Sequence, residues 1–211
     1  MPEIKITGSR RMPHLIAIGG GIGSGKSIVC RVLRAMNYDV YDCDIRARII
    51  VGNTPAIIEA IGREVCPEAI VRNTQGSLQI NRSILADAVF SDKPKLQTLN
   101  SIVHTAVLED IILWYNRRIE FDKCKPLFVE SAIITESGID KMVSQIWHVV
   151  APDNIRINRI ANRDGLNIEQ IQQRINSQQN NLKSAHAPVF TIINDGSTPL
   201  LPQIDILLNQ C

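Results

Sequence analysis

A chain of 211 residues is long enough for one domain of ordinary size with a sizeable core, or for a core domain with small insertions. Its formal net charge of +2 argues against nucleic-acid binding through the whole surface, and no apolar run approaches the roughly 20 residues that cross a bilayer. The five cysteines form an odd set without a C-x-x-C spacing, which favours a reduced, cytoplasmic setting.

The first 13 residues show no clear periodicity and are predicted to be a flexible N-terminal extension, followed by one domain over residues 14–211. Residues 15–27 read LIAIGGGIGSGKS, and residues 20–27 satisfy the phosphate-loop pattern in full. A buried parallel strand precedes the loop and a helix over residues 28–36 follows it. The alternative is a glycine-rich turn that happens to precede a helix.

Each part of this loop has a chemical role. Glycines let the backbone wrap around a phosphate, and the positive end of the following helix attracts negative charge. Lys26 is expected to reach the β- and γ-phosphates, and the Ser27 hydroxyl to hold magnesium. The predicted nucleotide-binding residues are Gly21, Ile22, Gly23, Ser24, Gly25, Lys26, Ser27 and Ile28.

Two acids follow the second predicted strand, which covers residues 38–41. Asp42 and Asp44 would lie at the carboxyl end of that strand, where doubly wound sheets bind ligands. The alternative is a solvated helix start, since Asp favours first turns. Alternation along an extended segment would point Cys43 away from the two acids, as a small core residue.

The pattern changes over residues 52–121, where helices are predicted over residues 54–61, 82–90 and 94–119 without a convincing strand. We interpret this stretch as a helical insertion that holds an acceptor substrate. His104 lies on its long helix and could face either the core or the substrate.

Strand and helix alternation resumes at residue 126. Strands are predicted over residues 126–130, 146–150 and 189–193, with helices between and after them, as in a parallel sheet with right-handed crossovers. Glu130 ends the first of these strands and could hold magnesium through water, pair with Lys26, or do both.

A helix beginning near Asp153 carries three arginines that share one face. We interpret Arg156 as part of a solvated basic stripe. Arg159 and Arg163 are candidates for a closing lid, because phosphoryl transfer needs positive charge around the phosphate.

The histidines suggest no further site. His148 lies in a buried strand and is interpreted as a satisfied core residue, and His14 and His186 have no acid or cysteine partner at a recognisable spacing. No zinc cluster and no nucleophile–His–acid set is evident.

Together these motifs resemble the dephospho-coenzyme A kinase family from residue 15 to the end of the chain. The resemblance rests on the phosphate loop, the segments over residues 40–48 and 52–56, Gly76 with Ser77 and Leu78, Arg82, Phe90, His104, residues 130–138, Arg159, Arg163, Asp164, Arg174, Gln178 and residues 193–196. The chain departs from the family pattern at Gly19, Ile28 and Pro188, and His104 lacks the proline that usually follows it.

The resemblance implies an α/β fold of the phosphate-loop NTPase type: a five-stranded parallel sheet flanked by helices, with the helical acceptor-binding insertion and a helical lid over residues 153–185. The implied reaction is ATP- and Mg²⁺-dependent phosphorylation of the ribose 3′-hydroxyl of dephospho-coenzyme A. Asp44 would be the base. Arg48, His104 and Glu136 would help to bind the acceptor, and Arg159 and Arg163 would close on the ATP phosphates.

Other interpretations stay open. The chain could be another phosphate-loop kinase acting on a nucleoside or nucleotide, or a nucleotide-dependent binding switch, although the Asn-Lys-x-Asp and Asp-x-x-Gly motifs of GTPases are absent from the sequence. The expected partner is a small molecule, without nucleic acid or membrane, and the chain is expected to be a monomer or a weak homo-oligomer.

Overall fold

The computed structural model describes Met12 and residues 14–120, 125–177 and 182–210. These residues form two compact units. The first contains the described residues of Met1–Tyr41 and Ile119–Cys211, and the second is Asp42–Arg118. The predicted extension over residues 1–13 lies outside the described residues apart from Met12, whose backbone N–H donates to the Met142 carbonyl at 2.7 Å.

The first unit is built on a five-stranded parallel sheet with the strand order β2-β5-β1-β6-β7, which confirms the predicted α/β class. Its strands are β1 (Leu15–Gly19), β2 (Val40–Asp42), β5 (Leu127–Glu130), β6 (Gln145–Val150) and β7 (Val189–Ile193). Its helices are α1 (Lys26–Ala35), α6 (Asp153–Asp164), α7 (Ile168–Ser177) and α8 (Leu200–Leu208).

The central strand β1 is fully buried, because helices cover both faces of a parallel sheet. Its neighbours β5 and β6 both run parallel to it. The core between sheet and helices packs Ile18 of β1 with Leu33 of α1, Trp147 of β6 and Ile204 of α8. The loop after β1 therefore starts from a rigid position at the carboxyl edge of the sheet.

The two helices of the predicted lid form a small core of their own. Ile160 of α6 packs with Ile171 and Ile175 of α7, and Ile22 of the phosphate loop lies against this cluster. Gly165 ends α6 in the left-handed conformation, with φ of 64°, which glycine adopts without strain. The predicted second helix over residues 167–180 is described only as far as Ser177.

The second unit contains α2 (Cys43–Asn53), α3 (Pro55–Glu64) and α4 (Arg82–Phe90), and ends within α5 (Lys93–Ile119). Its core joins Ile61, Val65 and Ala69 to Leu85 of α4. The expectation of no strand in residues 52–121 is wrong, since β3 (Ile70–Arg72) and β4 (Leu78–Ile80) form an antiparallel hairpin. Strands of three residues are too short for alternation to reveal them.

No helix in the described part of the chain is both long enough and apolar enough to cross a membrane.

Candidate active site

The phosphate loop between β1 and α1 has a backbone that needs its glycines. Gly23 and Gly25 adopt φ of 79° and 96°, which side-chain-bearing residues rarely adopt. A Cβ at Gly25 would lie 2.0 Å from the Asn194 amide nitrogen. Helix α1 begins at Lys26, and no side chain caps its N-terminus. A helix start of this kind, facing a glycine loop, is a binding site for phosphate.

The loop is held from outside by Arg159 of α6 and by Asn194, which follows β7. The Arg159 guanidinium donates to the Gly23 and Ser24 carbonyls at 3.2 and 3.3 Å and to the Asn194 carbonyl at 3.1 Å. The buried Asn194 amide donates to the Ser24 carbonyl at 2.8 Å. Sequence reasoning did not single out Asn194 for this role. The sequence did offer one signal: Asn194 directly follows the last strand, and ligands of α/β sheets bind at the carboxyl ends of the strands.

Arg156 also holds the loop, so its interpretation as a solvated residue is wrong. Its side chain is only 16% exposed. Nε donates to the Ile22 carbonyl at 2.9 Å, and Nη1 donates to the Asp153 carboxylate at 2.9 Å. A shared helix face alone does not distinguish a solvated arginine from one that bonds a loop 134 residues away in the chain.

Arg163, the other predicted lid donor, lies near the end of α6 and is exposed. It makes two hydrogen bonds with the neighbouring Asp164 carboxylate, at 2.7 and 3.0 Å. These bonds raise the pKa of Arg163 and lower the pKa of Asp164. Arg174 of α7 lies 3.6 Å from the same carboxylate. Gln178, which the family resemblance placed in the lid, lies outside the described residues.

Ser27 and Glu130 are the predicted magnesium ligands. Glu130 ends β5, where its carboxylate interacts with the Cys30 thiol, and burial with this negative neighbour raises the pKa of Cys30. Ser27 and Cys30 lie three residues apart on α1, so they share a helix face. A hydroxyl and a carboxylate are hard oxygen ligands of the kind that Mg²⁺ prefers, so the chemistry of these two side chains fits the ion.

A cavity of about 250 Å³ lies beside the loop and is lined by Gly21, Ser24, His148, Val149, Val150, Ala151, Arg156 and Ile175. The expectation that His148 is a satisfied core residue is wrong: its buried Nδ1 has no hydrogen-bond partner, nor has the buried Ser24 hydroxyl. Burial and the positive charges of Lys26 and Arg156 lower the pKa of His148. Polar atoms left without a partner beside a phosphate loop are suited to contacts with ligand or water.

Gly19, one of the departures from the family pattern, pairs with His148 across β1 and β6. A Cβ at Gly19 would lie 2.6 Å from Ile134 Cδ1. Ile134 therefore occupies the space beside Gly19, and a side chain there would require the end of Ile134 to shift.

His186 has an acid partner that its sequence position did not reveal. Its Nδ1 lies 2.7 Å from the buried Asp140 carboxylate, and its backbone N–H donates to the same oxygen at 3.1 Å. The two residues are 46 positions apart, so no local spacing could predict the pair.

The second unit carries the predicted base. The Asp42 carboxylate caps α2 by accepting from the Ile45 N–H at 2.9 Å, so the helix-start interpretation holds for Asp42. Cys43 begins this helix and is buried, so the expected extended segment is wrong although its core role holds. Asp44 lies in the first turn and is exposed, with Arg48 four residues later on the same helix.

The remaining predicted acceptor residues lie on different elements. His104 is half-buried on α5 of the second unit. Glu136 is exposed in the first unit, where its carboxylate accepts from the Thr135 hydroxyl at 3.1 Å. Among the described residues, no group of three or more His, Cys, Asp or Glu side chains could hold a metal ion.

Comparison with known proteins identifies the family of the chain. The model of the CoaE family, dephospho-CoA kinase, matches residues 14–199. A dephospho-CoA kinase of Bacteroides fragilis (strain YCH46) is 35% identical over 190 residues, covering 90% of this chain and 88% of the relative. One from Chlorobaculum tepidum is 34% identical over 187 residues, covering 89% of each chain.

Solved structures show the same fold. The crystal structure of TT1252 from Thermus thermophilus aligns with a TM-score of 0.74 at 29% identity, covering 95% of this chain and 98% of that one. The dephospho-CoA kinase from Campylobacter jejuni aligns with a TM-score of 0.65 at 22% identity, covering 94% and 99%. The resemblance expected from the motifs is confirmed, and the chain belongs to the dephospho-CoA kinase family.

Proposed function

We propose that this protein transfers the γ-phosphoryl group of ATP to the ribose 3′-hydroxyl of dephospho-CoA, giving CoA and ADP. The observation that carries the proposal is the complete phosphate loop, held by Arg156, Arg159 and Asn194, in a chain that matches the family from residue 14 to residue 199. Use of ATP follows from membership of a kinase family.

The donor half of the reaction belongs to the first unit. The loop amides and the start of α1 would cradle the phosphates, and Lys26 would place its ammonium group on the β- and γ-phosphates. In this structure Arg159 is bonded to loop carbonyls, so its first role is to fix the shape of the loop. Arg163, held by Asp164 at the end of α6, is proposed to bring positive charge to the transferring phosphate.

The acceptor half belongs to the second unit, with Asp44 as the general base that takes the proton of the 3′-hydroxyl. Its exposure at the start of α2 leaves the carboxylate accessible to a substrate. Arg48 and His104 of the same unit are proposed to bind the acceptor, and Glu136 of the first unit is proposed to contribute to this binding. Phosphoryl transfer needs little covalent help, so positioning and charge dominate the rate.

Mg²⁺ would be held by the Ser27 hydroxyl and, through water, by the Glu130 carboxylate, in keeping with their oxygen chemistry. When bound, the ion neutralises charge on the phosphates. The cytoplasmic location and the monomeric or weakly oligomeric state stay predictions.

The test is a panel of acceptors with ATP and Mg²⁺: dephospho-CoA, adenosine and AMP. We expect ADP release to depend on dephospho-CoA, and phosphorus NMR to place the new phosphate on the 3′-oxygen. Preferred turnover of a nucleoside or nucleotide would show another small-molecule kinase. Slow ATP hydrolysis that no acceptor stimulates would favour a binding switch.

A further inference from the structure

Helix α2, which carries the proposed base, is anchored by little apolar burial. Of its 11 residues, only Cys43 and Ile50 are buried. Arg46 lies three residues after Cys43 and four before Ile50, so it shares their face of the helix. Asp44 and Arg48 are four residues apart and exposed on another face. The rotation of α2 about its own axis therefore depends on more than its apolar contacts.

The missing anchor is a double hydrogen bond between α2 and α5. Arg46 Nε donates to Oδ2 of the Asp110 carboxylate at 2.8 Å, and Nη2 donates to Oδ1 at 2.8 Å. Asp110 follows the buried residues Ala106 and Val107 by four and three positions, so it lies on the buried face of α5. Two parallel bonds between planar groups fix the angle between the partners as well as their distance.

This pair, the Arg46–Asp110 pair, sets the direction in which the proposed base points. Residues two positions apart on a helix differ by about 200° around its axis, so they point in nearly opposite directions. Holding Arg46 against α5 therefore directs Asp44 away from α5, to the exposed side of α2. The start of the helix is fixed separately, by the bond from the Ile45 N–H to the Asp42 carboxylate.

We propose that Arg46 and Asp110 are positioning residues, which hold the Asp44 carboxylate in reach of the acceptor hydroxyl by fixing the rotation of α2. This inference rests on the proposed function, with Asp44 as the base. A general base acts only within hydrogen-bond distance of the proton that it takes. A displacement of about 1 Å can cost about 100-fold in rate, so a small rotation of α2 is enough to impair transfer.

The test places Arg46→Ala in the wild-type chain and in the Asp44→Asn chain. Phosphoryl transfer to dephospho-CoA is measured in single turnovers, with ATP and acceptor saturating. In the wild-type chain we expect a loss of roughly 10- to 100-fold. In the Asp44→Asn chain the same substitution should leave the residual rate unchanged, because the base that the pair positions is already absent.

Two further variants separate positioning from a loss of folded protein. Asp110→Ala should lose as much rate as Arg46→Ala, and the double variant should lose no more than either, because the two residues act as one pair. Arg46→Lys keeps the charge without the planar fork and should recover part of the rate. The stoichiometry of ATP binding by titration calorimetry measures the folded fraction of each variant.

The control is Arg63→Ala, which removes another ion-paired arginine of the same unit, bonded to Glu64 of α3 at 2.6 Å. If Arg46→Ala transfers phosphate as fast as this control, the inference is wrong although the proposed function stands. An equal loss in the wild-type and Asp44→Asn chains would show a structural role only and would also overturn it. If the wild-type chain does not phosphorylate dephospho-CoA, the proposed function fails and the inference fails with it.

Discussion

The shape of the phosphate loop depends on single side chains that lie far away in the chain. Arg156 reaches the Ile22 carbonyl across 134 positions, and Asn194 reaches the Ser24 carbonyl across 170. These side chains donate to loop carbonyls, and because a trans peptide points its N–H away from its C=O, they do not occupy the N–H groups of the loop. Because these side chains lie outside the phosphate-loop motif, the motif alone does not fix the shape of the loop.

Replacing Arg156 by Ala is therefore expected to weaken nucleotide binding. A hydrogen bond from a charged donor contributes about 1.5–3 kcal/mol, which corresponds to roughly 10- to 150-fold in Kd. Titration calorimetry with ATP measures this loss. Arg31→Ala is the matched control, because Arg31 is exposed on α1 and has no partner among the described residues. An Arg156→Ala protein that binds ATP as tightly as the control would contradict the role of Arg156.

Substitution of Asp44 tests its proposed role as the general base for the acceptor hydroxyl. A placed general base contributes about 10²–10⁴ in rate, or about 3–5 kcal/mol of barrier. Asp44→Asn keeps the size of the side chain but cannot take the proton, so it should lose turnover by that factor while the Kd for ATP is unchanged.

Asp42→Asn is the control for this prediction. Asn caps a helix about as well as Asp, so the bond to the Ile45 N–H can be kept and α2 should stay intact. We expect Asp42→Asn to lose much less turnover. Wild-type turnover by Asp44→Asn, with the chemical step shown to limit the rate, would exclude Asp44 as the base.

At the level of elements, strand β6 places the titratable side chain of His148 at the cavity beside the phosphate loop. Burial, Lys26 and Arg156 lower the pKa of His148 below its ordinary value of 6.5. Between the two pKa values the unfolded chain binds more protons than the folded one, so stability rises with pH in that range. As the pH falls from above 6.5 through the pKa of His148 in the folded state, the free energy of unfolding therefore decreases.

Wild type should therefore lose stability more steeply than His148→Val on acidification from about pH 7.5 to about pH 5.5. The difference in slope cannot exceed about 1.4 kcal/mol per pH unit, the limit for one proton. Urea unfolding at several pH values measures it. Parallel slopes for the two proteins would show that His148 titrates normally in the folded state.

The elements differ in how far sequence could predict them. β1, the phosphate loop and α1 follow from a local pattern. Helix α4 was predicted over the residues it occupies, because a helical pattern is local. The β3–β4 hairpin lies where no convincing strand was predicted, because its strands are only three residues long. The roles of Arg156 and Asn194, and the His186–Asp140 pair, depend on long-range contacts that no local spacing encodes.

At the level of the whole molecule, the chain contains two compact units, each with its own apolar core. The first contains the phosphate loop, and the second contains Asp44, the proposed base. The acceptor insertion was predicted to begin at residue 52, whereas the second unit begins at Asp42 and so includes all of α2. The assignment of acceptor binding to the second unit stays a prediction.

The most direct test of the whole account is turnover of dephospho-CoA by wild type and by Lys26→Ala, with ADP release and thermal unfolding measured on the same preparations. We predict that wild type forms CoA, and that Lys26→Ala loses transfer while unfolding at the wild-type temperature, because a side chain at a helix start in the loop adds little to the core. Formation of CoA by Lys26→Ala at the wild-type rate would contradict the account.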